Sequence, residues 1–382
     1  MKKLKGIRFL SLLLAFVLLI TTLTACGSDS SDSSEDEETT AAQADSEEET
    51  EEVEYDSEEN TIRIATQDGQ IRTAIYILAY ELGYYEEEGV NVEFVNVSST
   101  EALTAITTGM TDVDVLATGI VPSLTFIANG SDLLVFGGTA VEGGAIIAAD
   151  DEIEYYEDFT NYEGITVAMV RGESSWTISR DLIIEAGVDV DSITIVEVDS
   201  QINVAQAVAK GEADVGFLPV EYANNALDLG IGIVYEVGSL EPEYVCCRQV
   251  TSSAKLEEKY DAFVKYMIAN LRAWEYFEDE ANREEVVSLI AEYSGQDEDY
   301  VEEYLFTNRT SLSLDPNEYG VIDYYNSLID MDYFDSDDVD ITEHIDTAVY
   351  AEALETILER DPENEFFLEA LEVYREYNDA LI

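Results

Sequence analysis

Apolar and polar residues alternate in TIRIAT, Thr61 to Thr66, as in a half-buried strand, and then change to helical spacing at Ala74, Ile75, Leu78, Ala79 and Leu82 before Gly83. The change recurs along the chain. VNVEFVNV, Val90 to Val97, predicts a strand, and Ser98 with Glu101 predicts a capping box for a helix running to Gly109. VDVLATG, Val113 to Gly119, predicts a strand, followed by a helix from Pro122 to about Asn129 and the strand LLVFGG, Leu133 to Gly138. The order restarts at ITVAMV, Ile165 to Val170, with a helix ending near Gly187, the strand SITIVEV, Ser192 to Val198, and a helix closing at Gly211. ADVGFL then leads to Pro219, and GIVYEV, Gly232 to Val237, is the last strand of the set. Strands alternating with helices predict mainly parallel sheets covered on both faces. From Lys255 on, positions such as Phe263, Tyr266, Met267 and Leu271 keep a helical period, so the tail to Ile382 is expected to be mostly helix, packed on the first set of elements.

One stretch comes twice. AITTGMTDVDVL, Ala105 to Leu116, returns 102 residues later as AVAKGEADVGFL, Ala207 to Leu218, with matching Ala, Ile or Val, Gly, Asp-Val and Leu. Each copy reads as the end of a helix, a glycine in the left-handed closing position, an Asp in the turn and a short apolar strand. A proline, Pro122 or Pro219, follows where the next helix starts. The expected organisation is therefore two similar lobes: 61–144, 145–245, and 246–382 returning to the first lobe. The chain crosses around Ala145 to Ala149 and back around Tyr244 to Thr251, and two crossings make a hinge. Lys255, Lys259 and Lys265 fall on an amphipathic helix and are expected to be solvated.

The N-terminus bears on location. Lys2, Lys3, Lys5 and Arg8 precede fifteen mostly apolar residues, Phe9 to Leu23, too few for a comfortable membrane span and flanked like an export signal. Leu23-Thr24-Ala25-Cys26 resembles the lipobox of bacterial lipoproteins, which implies a signal peptide over 1–25 and a lipidated Cys26. Residues 26–60 follow as a tether. Gly27 to Asn60 holds sixteen acidic residues and no basic one, and it has too little apolar surface to offset the entropy of ordering. The expected place is the extracytoplasmic face of a membrane, in a Gram-positive bacterium, with contact through the lipid only. The formal net charge of −66 makes nucleic acid or an anionic lipid surface an improbable partner.

With three cysteines and one histidine, His344, the chain can build neither a His-based triad nor a spaced metal set, so no metal, no cofactor and no catalytic residue is expected. Cys246 and Cys247 are neighbours, and adjacent cysteines rarely bridge. They read as small hydrophobes on the returning strand, close to the ligand.

The run ILAYELGYYEEEGVNVEFVNVSSTEALTAITTGMTDVDVLATG, with ITVAMVRGESSWTISRDLIIEAGVDVDSITIVEVDSQINVAQAVAKGEADVGFLPVEYANNAL, resembles the type II substrate-binding proteins of bacterial ABC importers. The resemblance is to the branch that handles sulfonates, taurine, nitrate and thiamine pyrimidine precursors, and covers roughly residues 61 to 350. It implies a two-lobed α/β periplasmic-binding-protein-like fold of type II, each lobe a mixed, mainly parallel sheet covered by helices, with a helical C-terminal tail. It also implies a monomer that captures a small molecule by hinge closure and hands it to ABC permease and ATPase subunits. In a related eukaryotic pyrimidine synthase a longer Cys-rich run binds iron; with only two Cys here, an enzyme is the weaker expectation.

In open α/β sheets, ligands sit beyond the carboxyl ends of the strands, at helix N-termini. Those ends offer Gln67, Asp68, Ser98, Ser99, Thr118 and Thr139 from one lobe, and Arg171, Ser174, Ser175, Trp176, Gln201 and Glu221 from the other, with Arg248 on the return. Ser174 and Ser175 resemble the hydroxyl pair that opens a ligand-facing helix in the family. Should two of Arg72, Arg171 and Arg248 converge, the ligand is an anion such as a sulfonate, taurine or nitrate. The alternative is a thiamine-precursor pyrimidine or similar heteroaromatic, held by Asp68, Glu173 and Glu221 with Trp176, Tyr222 and Tyr244.

Overall fold

Two five-stranded mixed sheets carry the fold. The computed structural model describes residues 57–66, 73–110, 113–307, 311–334 and 338–379. The expected signal peptide, Cys26 and most of the tether lie outside them. In the first lobe Thr61–Thr66 (β1), Ala74–Glu81 (α1), Tyr84–Glu88 (α2), Asn91–Asn96 (β2), Ser99–Thr107 (α3), Val115–Gly119 (β3), Ile120–Ala128 (α4) and Leu134–Gly138 (β4) follow in turn. Ala140–Val141 (β5) leads out, and Gly144–Ala149 (β6) enters the second lobe. There Ile153–Tyr156 (α5), Thr166–Met169 (β7), Ser174–Glu185 (α6), Thr194–Glu197 (β8), Gln201–Ala209 (α7), Val215–Pro219 (β9), Val220–Asn225 (α8) and Ile231–Glu236 (β10) repeat the order. Cys247–Thr251 (β11) returns to the first sheet. The tail is Ser253–Glu258 (α9), Tyr260–Glu278 (α10), Arg283–Ser294 (α11), Glu298–Glu302 (α12), Ser311–Leu312 (β12), Glu318–Asp330 (α13), Ala348–Arg360 (α14) and Glu365–Tyr377 (α15).

The sheet orders are β2-β1-β3-β11-β4 and β8-β7-β9-β6-β10, the same plan twice. In each, the three leading strands are parallel, and the strand arriving from the other lobe, β11 or β6, inserts antiparallel between the third and the last. This is the two-lobed type II periplasmic-binding-protein architecture. Strand alternation sends Ile62 and Ile64 to a core shared with Phe263, Tyr266 and Met267 of α10, and Ala65 to another shared with Leu124 and Tyr324. The tail thus covers the first lobe on both faces, and α13 also reaches α6 of the second, where Ser327 donates to Asp181 at 2.8 Å.

The repeated stretch does the same job in both lobes, with a slip. Helices α3 and α7 end on Gly109 and Gly211, at φ +70° and +68°, where a side chain would be strained. Strands β3 and β9, however, lie 100 residues apart rather than 102, because the first-lobe turn is two residues longer. Asp114, not Asp112, is therefore the partner of Asp214; Asp112 lies outside the described residues. The Asp114 carboxylate accepts the Arg63 N–H at 2.9 Å while its own N–H donates to the Arg63 carbonyl at 2.8 Å. Asp214 repeats this on Thr166 at 2.7 and 2.8 Å. Each Asp clasps the first parallel strand of its sheet to the third.

Among the described residues, only the first clasp is neutralised by a pair of lysines. Lys255 and Lys259, expected to be solvated, are 7% and 5% exposed and reach the fully buried Asp114 at 3.0 and 3.1 Å. A buried carboxylate needs a counter-charge, and α9 and α10 fold back over the start of the sheet to supply it. Lys265 is half-buried, with its ammonium 3.5 Å from Asn60 Oδ1. The last residues of the expected tether also join the lobe: Glu58–Asn60 form a 3-10 turn, Asn60 is buried, and Glu58 pairs with Arg63 at 2.6 Å.

The hinge has a third component besides the two crossings. Val141 bridges Val245, Glu142 N donates to Tyr244 O at 3.1 Å, and β12 pairs with β5 as a strap from the tail. Gly144 is constrained by space, since a Cβ there would stand 2.5 Å from Ser175 Cβ and 2.7 Å from the Tyr244 hydroxyl, which accepts the Gly144 N–H.

Breaking a buried ion pair from one side costs about 3–5 kcal/mol, and losing an ordinary hydrogen bond about 1 kcal/mol. Asp114→Asn is therefore expected to destabilise by about 3–5 kcal/mol, and Asp214→Asn, at a half-buried site, by about 1 kcal/mol. Denaturant unfolding of both variants checks this; equal losses would show that the lysines add nothing.

Candidate ligand-binding cleft

Several helices begin at one place between the lobes. Thr73 stands at the N-cap of α1, Ser99 in the first turn of α3, Gly119 at the N-cap of α4, Glu173 and Ser174 at the start of α6, and Pro219 at the start of α8. All six line a cavity of ≈ 160 Å³ with Thr118, Thr139, Glu142, Gly143, Cys246 and Cys247. Strand β3 sets Thr118 at its carboxyl end, and β4 runs out into Thr139. Phe277, Tyr304, Leu305 and Leu312 of the tail close the remaining side. The cavity therefore draws on both lobes, both crossings and the tail. It shares Glu142, Gly143, Phe277, Leu305 and Leu312 with an adjoining cavity of ≈ 570 Å³, which Glu236, Glu278 and Arg283 also line.

Polar groups around it are held in place. Glu173 is buried and accepts from the Ser175 hydroxyl at 2.9 Å and from Gln201 Nε2 at 3.0 Å. Thr73 is 5% exposed and its hydroxyl has no hydrogen-bond partner among the described residues, although it lines the cavity. Glu142, at φ +58°, is a non-glycine residue in the left-handed region, and its carboxylate accepts the Glu243 N–H at 3.1 Å. Among the described residues lining the cavity there is no Lys, Arg or His.

The sequence-derived candidates divide. Ser99, Thr118, Thr139 and Ser174 line the cavity; Ser98 stands behind, completing the capping box with Glu101. Ser175 and Gln201 position Glu173. Gln67, Asp68 and Arg72 lie outside the described residues, and of Glu221 only the backbone, in α8, is described. Trp176 is 4% exposed and packs edge-on against Phe217 in the second-lobe core, because α6 turns that face inward onto β9. Arg171 stacks on Tyr333 at 5.2 Å and lines a separate cavity of ≈ 240 Å³ with Trp176. Arg248 is fully buried in β11, donating to Pro316 O at 3.1 Å and Cys247 O at 2.9 Å. Arg171 and Arg248 therefore do not converge. Phe277, Tyr304, Leu305 and Leu312 were not anticipated: they come from the tail, and their spacing reads as ordinary helical core.

A sequence model described as NMT1/THI5 like matches residues 70–284, more than half of the chain. The chain belongs to the NMT1/THI5-like family. Among solved structures of similar fold is the periplasmic aliphatic sulphonate binding protein SsuA from Escherichia coli, 17% identical, with a TM-score of 0.59 over 75% of this chain and 92% of that one. The periplasmic nitrate-binding protein NrtA from Synechocystis PCC 6803 is 13% identical, with a TM-score of 0.57 over 78% and 89%. The desulfurization enzyme DSZB is 15% identical, with a TM-score of 0.52 over 78% and 99%. No curated protein matches the chain. At these identities the likeness is one of fold, and in this NMT1/THI5-like chain the cleft itself has to argue the ligand.

Acidic groups crowd the hinge beside the cleft. Burial holds the Glu243 carboxyl above its ordinary value, and Glu142 adds to this; burial also raises Asp315, although Asn378 and the Asn317 N–H oppose it. Their folded state binds protons more readily than the unfolded chain. The cost is therefore in force at neutral pH and is relieved as pH falls towards the unfolded carboxylate range of about 4. Glu58 works in the opposite sense: hydrogen bonding to Arg63 lowers it from 4.5 to about 2, so its contribution is full above 4.5 and lost as pH falls towards 2. The unfolding midpoint is expected to rise as pH falls from neutral towards the ordinary carboxylate range and to fall in stronger acid as Glu58 is protonated. Glu243→Gln is expected to raise the midpoint at neutral pH and flatten the rise, read by thermal unfolding across pH; a variant with the parent profile would remove Glu243 as its source.

Proposed function

We propose that the chain is the solute-binding component of an ABC importer, held at the extracytoplasmic face of the membrane through a lipid on Cys26. It takes a small amino-bearing heteroaromatic, of the aminopyrimidine class, into the cavity between its lobes. The observation that carries this reading is the buried Glu173 carboxylate, fixed by Ser175 and Gln201 in the cavity wall, with Glu142 beside it and no described cation in the lining. A carboxylate in that setting accepts hydrogen bonds from an exocyclic amine or a protonated ring nitrogen. Phe277 and Tyr304 offer aromatic surface to a flat ring.

The role needs no covalent step. The open lobes admit the solute, closure about the three-stranded hinge adds contacts from the second lobe, and the closed form is the one that permease and ATPase subunits act on. An anion such as a sulfonate or nitrate is the second reading, favoured by the helix N-termini that meet at the cavity, where unpaired N–H groups suit negative charge.

Thermal unfolding of the chain with 4-aminopyrimidine, taurine, an alkanesulfonate and nitrate separates the two readings. A ligand bound only by the folded state and present at a hundred times its Kd stabilises by about 2.7 kcal/mol. 4-Aminopyrimidine is expected to raise the midpoint, and Glu173→Gln to weaken its binding at least about tenfold, about 1.4 kcal/mol. A rise with the sulfonate or nitrate, retained in Glu173→Gln, would replace the first reading by the second.

A further inference from the structure

We infer that Cys246 and Cys247 form a reversible dithiol switch in the cleft wall, whose substrate is a low-molecular-weight disulfide. This goes beyond the proposed function and does not depend on which solute the cleft binds. Both side chains are half-buried and line the cavity, and their sulfurs are 3.5 Å apart with no disulfide between them. A sulfur–sulfur bond needs about 2.0 Å, so the thiols are already oriented towards each other and close by a movement of about 1.5 Å. The cavity gives a small reagent access to them, which a buried core pair would lack.

The bridge they can form is a strained one. Neighbouring Cα atoms are held about 3.8 Å apart by the peptide bond, below the roughly 4.4–6.8 Å usual for disulfides. Strain raises the reduction potential, so such a bond is labile and serves regulation better than stability. The chemistry proceeds in two exchanges. One cysteine, as thiolate, attacks a sulfur of the small disulfide, forming a mixed disulfide and expelling one thiolate. The neighbouring cysteine, as thiolate, then attacks the protein sulfur of that mixed disulfide, closing the Cys246–Cys247 bond and expelling the second thiolate. Two protein thiols are oxidised to one disulfide, the reagent is reduced to two thiols, and the two cysteine protons end on them.

Closure has a structural consequence at the cleft. Cys246 O accepts the Ile120 N–H at 2.9 Å, and Cys247 O accepts the Thr139 N–H at 3.3 Å and Arg248 Nη1 at 2.9 Å. The ring formed by a bridge between adjacent residues twists the peptide between them, which turns the Cys246 carbonyl directly and displaces the Cys247 carbonyl through the change in backbone that follows it. Ile120 opens α4 beside the cavity, and Thr139 is itself in the lining, so the redox state of the pair is coupled to the cleft wall and to the returning crossing.

The test treats the reduced full chain with oxidised glutathione, quenches in acid, and alkylates with iodoacetamide after denaturation before peptide mapping. The peptide carrying both cysteines is expected to lose the mass of two hydrogens and take no alkyl group, with full reversal by dithiothreitol. Cys246→Ser is expected to stop at one glutathione on Cys247, as the resolving thiol is gone. Hydrogen exchange at the Ile120 and Thr139 amides is expected to quicken at least tenfold in the oxidised chain. Two alkylated cysteines, two glutathione adducts, or unchanged exchange in a chain that has closed the bond would each overturn the inference. Because no solute enters these measurements, they stand or fall separately from the aminopyrimidine reading.

Discussion

The fully buried carboxylate of Asp114 ties the first lobe together. It takes the backbone N–H of Arg63 in β1, stands at the head of β3, and holds the ammonium groups of Lys255 and Lys259 from the returning helices. One side chain thereby joins the leading strands to the part of the chain that comes back after the excursion through the second lobe. A charge buried this deeply is tolerable only when its partners are fixed, so α9 and α10 are committed to that edge. The consequence for the cleft is one of place. Asp114 and Asp214 occupy the heads of their sheets, where the strands start, which leaves the opposite ends, with their helix N-termini, to the ligand.

Most of the fold was legible because its signals are local. The capping box of Ser98 and Glu101, the glycines closing α3 and α7, and the change between periods of two and 3.6 residues mark strand and helix without reference to the rest of the chain. The repeat misled by two residues, since the matching sequence pairs Asp112-Val113 with Asp214-Val215 whereas the strands start at Val115 and Val215. The lysines were misread for a related reason. Amphipathic spacing identifies an exposed face only if nothing packs on it, and the carboxylate that draws Lys255 and Lys259 inward lies more than 140 residues earlier in the chain.

The candidate cleft was legible to the extent that it is made of strand ends. Ser99, Thr118, Thr139 and Ser174 occupy such ends, and each was within reach of the rule that ligands meet helix N-termini. Trp176 is two residues further into α6 than Ser174, and that offset is enough to turn it onto Phe217. Arg248 sits on a strand whose side chains alternate between faces, and its guanidinium is fully buried, with Nε and Nη1 donating to the Pro316 and Cys247 carbonyls. Phe277, Tyr304, Leu305 and Leu312 carry no local mark, because their place in the wall is set by how the tail crosses the first lobe.

Charge is what separates the ligand classes, and here the global and local pictures have to be kept apart. The formal charge of −66 is spread over a solvated surface, where salt screens it within about 10 Å at 0.1 M, and it says little about a cavity of ≈ 160 Å³. Inside, two terms compete. The helix N-termini bring partial positive charge that is short in range, whereas Glu173 and Glu142 bring carboxyl oxygens that accept hydrogen bonds. Fold cannot arbitrate, because a sulphonate-binding protein, a nitrate-binding protein and a desulfurization enzyme all share it with this chain at 13–17% identity. The carboxylates weigh more by magnitude: a terminus is equivalent to roughly half a charge and its influence fades within a turn, while Glu173 is a fixed, buried acceptor at the wall itself. An anion placed there would have to meet that carboxylate at close range without a described cation in the lining, whereas an amine would meet it as a donor.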